Sequence, residues 1–470
     1  MSDHFRPLDR DTLFLFPPSV QEWLPADHLA RFIGEIVAKL DLGPLRAKYA
    51  GRGSEAYQPE MMVALLFYGY ATGIFSSRKL ERATFDSVAF RYIAANQHPE
   101  HDTIATFRRR FLPEVKACFK QILLIAAESG MIKVGRVSID GTKVKANASK
   151  HHALSYTHAT KLERRIKNEI ERLMRMAEKA DVQDLPDGMD VPAELARRET
   201  RLQAITDAKE RIRAREQGRI ATEQAAHDQK MAGRAAKELA TGKKHSGRKP
   251  KRPSRAMNKA AQINLTDDES RIMPTGDGFV QAYNAQGAVD CGSLLLVDLD
   301  VSQCPTDRTL LESAIARLKS LPKELGNVTE VLADAGYFSA SNIEACERQN
   351  LTPYISAGRE RHAGGLGRFR QPPPLPEDAS ANERLRHRMR TKEGREIYGQ
   401  RKSTIEPRFG NIKSVHGFRQ FSLRGFEKVS GEWQIMGSAY NLKRMHTLIM
   451  KAVKATGFPM RPSSITWRAV

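Results

Sequence analysis

Cysteine is scarce in this chain. Four in 470 residues, Cys118, Cys291, Cys304 and Cys346, form no C-x-x-C pair. That usage excludes a disulfide framework and a zinc ribbon, and it suits a reducing compartment. His98 and His101 stand close together without a second ligand pair, so no zinc site is expected. Long apolar runs are also missing. The richest stretch, Met61 to Phe75, is interrupted by Gly69 and Gly73 and predicts a buried helix, not a membrane span. The first ten residues carry acids and a proline and show no secretory pattern. Acids are in deficit: 55 Asp and Glu face 76 Lys and Arg, giving a net charge of +21. Such a field favours a polyanionic partner and salt-sensitive association.

The length exceeds one small core, so two or three domains are expected. Residues 1–130 read as a helical, DNA-binding domain. Pro59 and Glu60 suit one helix start, Ser76 or Ser77 caps a second helix, and Asp102 caps a third. Ile104, Phe107 and Phe111 make a narrow apolar stripe beside the cations Arg108, Arg109 and Arg110. A small bundle with a basic last helix resembles a helix-turn-helix DNA binder; a helical dimerisation domain is the competing reading. Residues 131–150 alternate as strand. Residues 151–262 are charged and helix-forming. Leu162, Ile166, Ile170 and Leu173 recur at helical spacing, as do Leu195, Leu202, Ile205 and Ile212 after a cap at Asp190-Val-Pro. With Leu185-Pro-Asp-Gly between them, these predict a helical hairpin or coiled coil. The cationic, proline-rich run from Gly242 to Arg255 predicts a disordered linker, either a plain tether or a follower of a DNA backbone.

Strand signals return at Gly278. Phe279 to Asp290 and Ser293 to Ser302 predict a hairpin turning at Asp290-Cys-Gly. A helix after Asp307, a strand at Val328–Leu332, a helix at Asn342–Arg348 and a strand at Thr352–Ser356 follow. A Gly/Pro/Arg loop then spans 358–376, and a helix-forming region runs from Asn382 through Glu406. Residues 451–470 read as a tail.

Three acids stand in informative settings: Asp140 in Ser-Ile-Asp-Gly-Thr, Asp334 in Leu-Ala-Asp-Ala-Gly-Tyr, and Glu406 in a basic helical stretch. The first two follow β-type runs. Carboxylates converging from two strands and a helix can hold divalent cations, and Mg²⁺ prefers such oxygen ligands. Basic surroundings point to an anionic substrate, hence to metal-assisted phosphoryl transfer on a nucleic acid. Other acids compete for the role. Asp298 and Asp300 alternate onto one strand face, and Glu432 lies in Ser430-Gly-Glu-Trp-Gln.

The order of elements resembles an α/β ribonuclease H-like core (131–150 and 263–450) with an N-terminal helical domain and a large helical insertion after the first core strand. The motifs are similar to those of DDE transposases of the bacterial insertion-sequence type, in the Tyr-Arg-Glu-Lys subgroup. Asp140-Gly-Thr matches the first motif and Ala333-Asp-Ala-Gly-Tyr337 the second. Tyr398, Arg401, Glu406 and Lys413 match the third, with Arg401 or Lys402 filling the cation position. The resemblance also takes in Tyr283-Asn-Ala-Gln and Arg424-Gly through Asn441-Leu. It implies that Asp140, Asp334 and Glu406 are catalytic and bind two Mg²⁺ ions, for which Mn²⁺ can substitute. It implies that Tyr398, Arg401, Lys402 and Lys413 contact DNA phosphates, with Arg108 to Arg110 as further DNA-binding candidates. It also implies a bacterial, cytoplasmic protein that is nucleoid-associated when bound to double-stranded element ends and target DNA. Pairing two ends implies a homo-oligomer. The expected function is binding of terminal inverted repeats, cleavage and strand transfer. A nuclease of the same fold lacking strand transfer, or a non-catalytic DNA-binding descendant, are the alternatives.

Overall fold

The structure, a computed structural model, describes residues 19–49, 56–180, 190–242, 244, 247–258, 261–276, 278–358 and 371–456. The chain is mixed α/β, with a helical N-terminal part and a mixed sheet. Among the described residues seven α-helices come first: α1 Leu29–Val37, α2 Gly43–Arg46, α3 Pro59–Thr72, α4 Ser77–Asp86, α5 Val88–Ile93, α6 His101–Arg110 and α7 Leu112–Glu128. As expected, α3 begins at Pro59, whose missing N–H costs nothing at a helix start. It is apolar on all sides and buried almost throughout, as such a helix must be. It ends at Gly73, left-handed at φ 85°, where an added Cβ would lie 2.8 Å from the His416 carbonyl oxygen. Ser76 takes the expected N-cap position of α4 but makes no side-chain capping bond. The expected cap of α6 is corrected by two positions: Glu100 is the N-cap, and Asp102 lies inside the first turn, where its charge faces the positive helix end.

Strand β1 (Val134–Lys145) follows α7, and strand β2 (Ala153–Ser155) leads into the insertion. Helix α8 (Tyr156–Ala180) and helix α9 (Val191–Thr241) form the insertion's helical pair. Asp190 caps α9 by accepting from the Ala193 N–H at 3.0 Å, with a proline in the first turn, as the sequence predicts. Leu154, Ala159 and Ile166 pack against Ile205 between the two. The Leu185-Pro-Asp-Gly connection lies outside the described residues. Strand β3 (Gln262–Asn264) pairs antiparallel with β2 and closes the insertion's base, a small sheet that the sequence did not signal.

The main sheet adds β4 (Arg271–Thr275), β5 (Gly278–Asp290), β6 (Leu296–Ser302), β7 (Gly326–Ala333) and β8 (Thr352–Ile355). The hairpin β5–β6 and the strands β7 and β8 stand where the sequence placed them; β4 is an addition. The order runs β4-β5-β1-β7-β8, with β6 also paired to β5. β5 is antiparallel to β1 and β6, while β1, β7 and β8 run parallel. The remaining helices are α10 Leu311–Lys319, α11 Ala340–Arg348, α12 Ala381–Arg390, α13 Lys392–Gly399, α14 Ile405–Ser414 and α15 Phe426–Thr456. α15 contacts α3, α7 and β6, so one apolar cluster runs from the N-terminal helices into the sheet. Its Trp433, 1% exposed, donates from Nε1 to the Gln286 carbonyl at 2.9 Å and pins β5 in place.

Candidate active site

The parallel pairing of β1 and β7 sets Val137 opposite Val331 and Ser138 opposite Leu332. Two residues further along each chain come Asp140, still within β1, and Asp334, one residue past the end of β7. Their neighbourhood shows in the chemistry of Asp140. Burial pushes its carboxyl up to about 6 against the pull of Arg401, and the charges of Asp334 and Asp307 push the same way. Asp140 lies within a continuous β1, not beyond its end. Asp334 leaves β7 and caps a short 3-10 turn, Ala335–Tyr337, by accepting from the Gly336 N–H at 2.9 Å.

Glu406 arrives from α14. The helix-forming region expected from Asn382 through Glu406 consists of α12, α13, a 3-10 turn at Gln400–Ser403, and α14. That turn folds Arg401 back toward Glu406, although five residues separate them. The Arg401 guanidinium donates to Asp140 Oδ2 at 2.8 Å and to Glu406 Oε1, spanning both carboxylates. Arg401 is only 7% exposed, while the Glu406 side chain is 52% exposed at the rim. Burial weighs against the Arg401 charge, yet Asp140, Tyr398, Asp334 and Glu406 hold it above its ordinary range. Its Nε is buried with no hydrogen-bond partner among the described residues.

Of the two candidate cations, Arg401 is therefore the one inside the site, and Lys402 is exposed outside it. Tyr398 is half-buried, and its hydroxyl is raised by burial, with Arg401 and a hydrogen bond to Ser356 opposing. Lys413 donates to the Lys143 carbonyl at 2.9 Å and ties α14 to β1. Burial lowers its ammonium, as do the nearby cations Lys143 and Arg419. The three cations mark one flank of the site.

Arg108 is a correction. It is 7% exposed and donates to the Tyr70 hydroxyl at 3.1 Å and the Phe75 carbonyl at 3.0 Å. A cation so enclosed cannot face DNA. Arg109 and Arg110 are exposed, and Arg110 donates to the Lys48 carbonyl. The competing acids have structural work. Asp298 and Asp300 grip Arg317. Glu432 is fully buried and accepts from Tyr70 Oη and the Ser422 and Leu423 N–H groups.

A polar cluster that the sequence did not reveal lies behind Asp140 on the other sheet face. Asn284 and Gln286 on β5 both donate to Asp307 Oδ1, at 2.6 and 2.8 Å. The Tyr337 hydroxyl donates to Gln286 Oε1, linking the Asp334 turn to β5. Lys143 lies 3.5 Å from Asp307. Gly141, opposite Gln286, makes room for this: an added Cβ would meet Gln286 Nε2 at 2.0 Å and Asp307 Oδ1 at 2.6 Å. Alternation of Asn284 and Gln286 on one face was the available signal; Asp307, before a helix, read only as its start.

The acids suit a hard cation in kind, since all are oxygen donors. The positive group among them is the Arg401 guanidinium, and no three metal-ligating side chains among the described residues stand close enough together to hold an ion. In this arrangement Arg401 is the counter-charge that the Asp140 and Glu406 carboxylates share.

Two family descriptions match the chain. "Transposase domain (DUF772)" covers residues 18–110, and "Transposase DDE domain" covers residues 374–446. The second includes Tyr398, Arg401, Glu406 and Lys413; Asp140 and Asp334 lie outside both. No curated protein and no solved structure matches.

Proposed function

We propose that this chain, which its two domain matches support as a DDE-type insertion-sequence transposase, cuts and joins DNA at Asp140, Asp334 and Glu406. It binds the terminal inverted repeats of its element, cleaves the ends, and transfers the freed 3′-hydroxyls to target DNA. The observation that carries this is the buried Arg401 bridge between Asp140 on β1 and Glu406 on α14, with Asp334 just past the end of β7. The sheet order β6-β5-β1-β7-β8, with only β5 reversed, supports a ribonuclease H-like core.

Asp140, Asp334 and Glu406 would hold the Mg²⁺ ions once Arg401 turns outward. Such ions would supply Lewis-acid chemistry to an in-line displacement there. The residues of this chain do the rest. Arg401, released from the acids, carries its free donors to a phosphate, for which a planar guanidinium is suited. Lys413, Lys143 and Arg419 supply positive charge along the strand, and Tyr398 flanks the same groove. Gln286, Asn284, Asp307 and Tyr337 hold β5 and the Asp334 turn in register behind the reacting groups. Arg109 and Arg110 are the exposed cations of α6 that remain available to duplex DNA. Double-stranded ends must be paired for joining, so the active form is a homo-oligomer in the bacterial cytoplasm.

The test uses a labelled element end with Mg²⁺. Asp140→Asn, Asp334→Asn and Glu406→Gln are expected to bind DNA and fail to cut. With pre-cut ends the parent is expected to give joined products. Cutting without joining identifies a nuclease, and full cutting by any one variant removes that residue from the site.

A further inference from the structure

The site leaves the longest helix without a task. α9 has 51 residues, or roughly 76 Å at 1.5 Å per residue. Its first part packs on α8. Its Ala208 and Ile212 then reach the insertion's base, against Ala261 and Ile263. Beyond Glu216 the helix continues for another 25 residues, to Thr241. The chain then turns and comes back. Arg234 donates to the Gly247 carbonyl at 3.2 Å, and the Asn258 N–H donates to Glu216 at 3.0 Å. Those helix positions are roughly 27 Å apart. The returning segment therefore covers roughly 2.5 Å per residue and is stretched along the helix, not coiled. Pro250 and Pro253 favour that form, because each drives the preceding residue into extended backbone. The segment expected to be a disordered linker thus lies along α9 at both of these anchor points.

Charge is concentrated here. Between Arg211 and Asn258 the sequence has fourteen Lys and Arg against four Asp and Glu, a net +10 of the chain's +21. Lys230, Lys237, Arg248, Lys249, Lys251 and Arg255 are all exposed. The helix beyond Glu216 is rich in alanine, and Leu239 is its exposed large hydrophobic residue. It is kept helical by i,i+4 pairs such as Arg219 with Glu223 and Gln224 with Asp228. A surface so cationic and so poor in apolar side chains offers little to a protein partner, whose contacts need an apolar centre. It offers a great deal to a phosphate backbone.

We infer that the distal half of α9 and the segment returning along it form a duplex-DNA-binding arm, separate from the cutting site, which grips the sugar-phosphate backbone without reading bases. The inference rests on the transposase reading only in taking DNA as the partner.

Salt dependence tests it. Binding of a fluorescent 40-base-pair duplex to the full chain is measured by anisotropy across a potassium chloride series. The parent is compared with a chain carrying Arg248→Gln, Lys249→Gln, Lys251→Gln and Arg255→Gln. Each lost phosphate contact removes about 0.9 from the slope of log affinity against log salt, so four should lower its magnitude by about 3 to 4. Affinity at about 150 mM salt should fall at least tenfold. Circular dichroism of the substituted chain should match the parent, because all four positions are exposed. An unchanged slope overturns the arm. An unchanged slope with a lost oligomer in sedimentation overturns it too, and assigns the arm to self-association. A parent that binds no duplex at low salt defeats the transposase reading itself.

Discussion

Replacing Asp140 with asparagine should stabilise the metal-free protein at alkaline pH. The Asp140 carboxyl is buried and lifted from 3.8 to about 6. Its native form thus holds a proton that the unfolded form gives up. The penalty is absent below about pH 4, grows between pH 4 and 6, and is complete above. Such a rise corresponds to about 3 kcal/mol at most, at about 1.4 kcal/mol for each tenfold change in acidity. The asparagine side chain would escape that cost, in which the pull of Arg401 is already included. The net gain expected at pH 8 is therefore about 2 to 3 kcal/mol, falling to about zero at pH 4. Urea unfolding followed by tryptophan fluorescence, with EDTA present, measures it. Trp433 is buried in the sheet's core and reports on this region. Equal destabilisation of Asp140→Asn at both pH values would refute the reasoning. Activity would be lost while stability is gained, the usual mark of a strained functional site.

Other perturbations follow from the same geometry. Gly141→Ala should drive a methyl into Gln286 and Asp307, costing about 1 to 3 kcal/mol as overpacking does; a thermal melt unchanged from the parent would contradict it. Glu432→Ala should cost about 3 to 5 kcal/mol, because it strips the acceptor from a buried network that holds Arg108, and a urea midpoint within error of the parent would count against that network. Asp298→Asn should leave cleavage of an element end within a few-fold of the parent, since Asp298 serves Arg317; loss of cutting would return it to the candidate catalytic acids.

The candidate acids stood out in the sequence because motif and strand pattern coincide. Asp140 and Asp334 each end an alternating apolar run, and a parallel pairing of those runs brings them level. The place of Arg401 was not readable, since five residues along a regular helix would turn it away from Glu406; a 3-10 turn between two helices restores the contact. Arg108 sat in a run of three arginines, and charge alone does not say which of them faces a core. Tyr70 and Glu432, its partners in the buried network, are 38 and 324 residues distant in sequence. The strands β2, β3 and β4 are short and partly polar, so alternation is too brief to show. Asp307 joins the site through Asn284 and Gln286 on β5 and Lys143 on β1, contacts that no local pattern encodes.

If Asp140, Asp334 and Glu406 form one cation-dependent DNA-cutting site, Arg401 must withdraw from it for the site to work. Anomalous diffraction from crystals of the protein with an element end and Mn²⁺ tests it most directly. A manganese peak between Asp140 and Asp334, with the Arg401 guanidinium moved onto a phosphate, is the expected result. Contradiction would be Arg401 still bridging Asp140 and Glu406, with no peak at those acids, at a Mn²⁺ concentration that supports cutting.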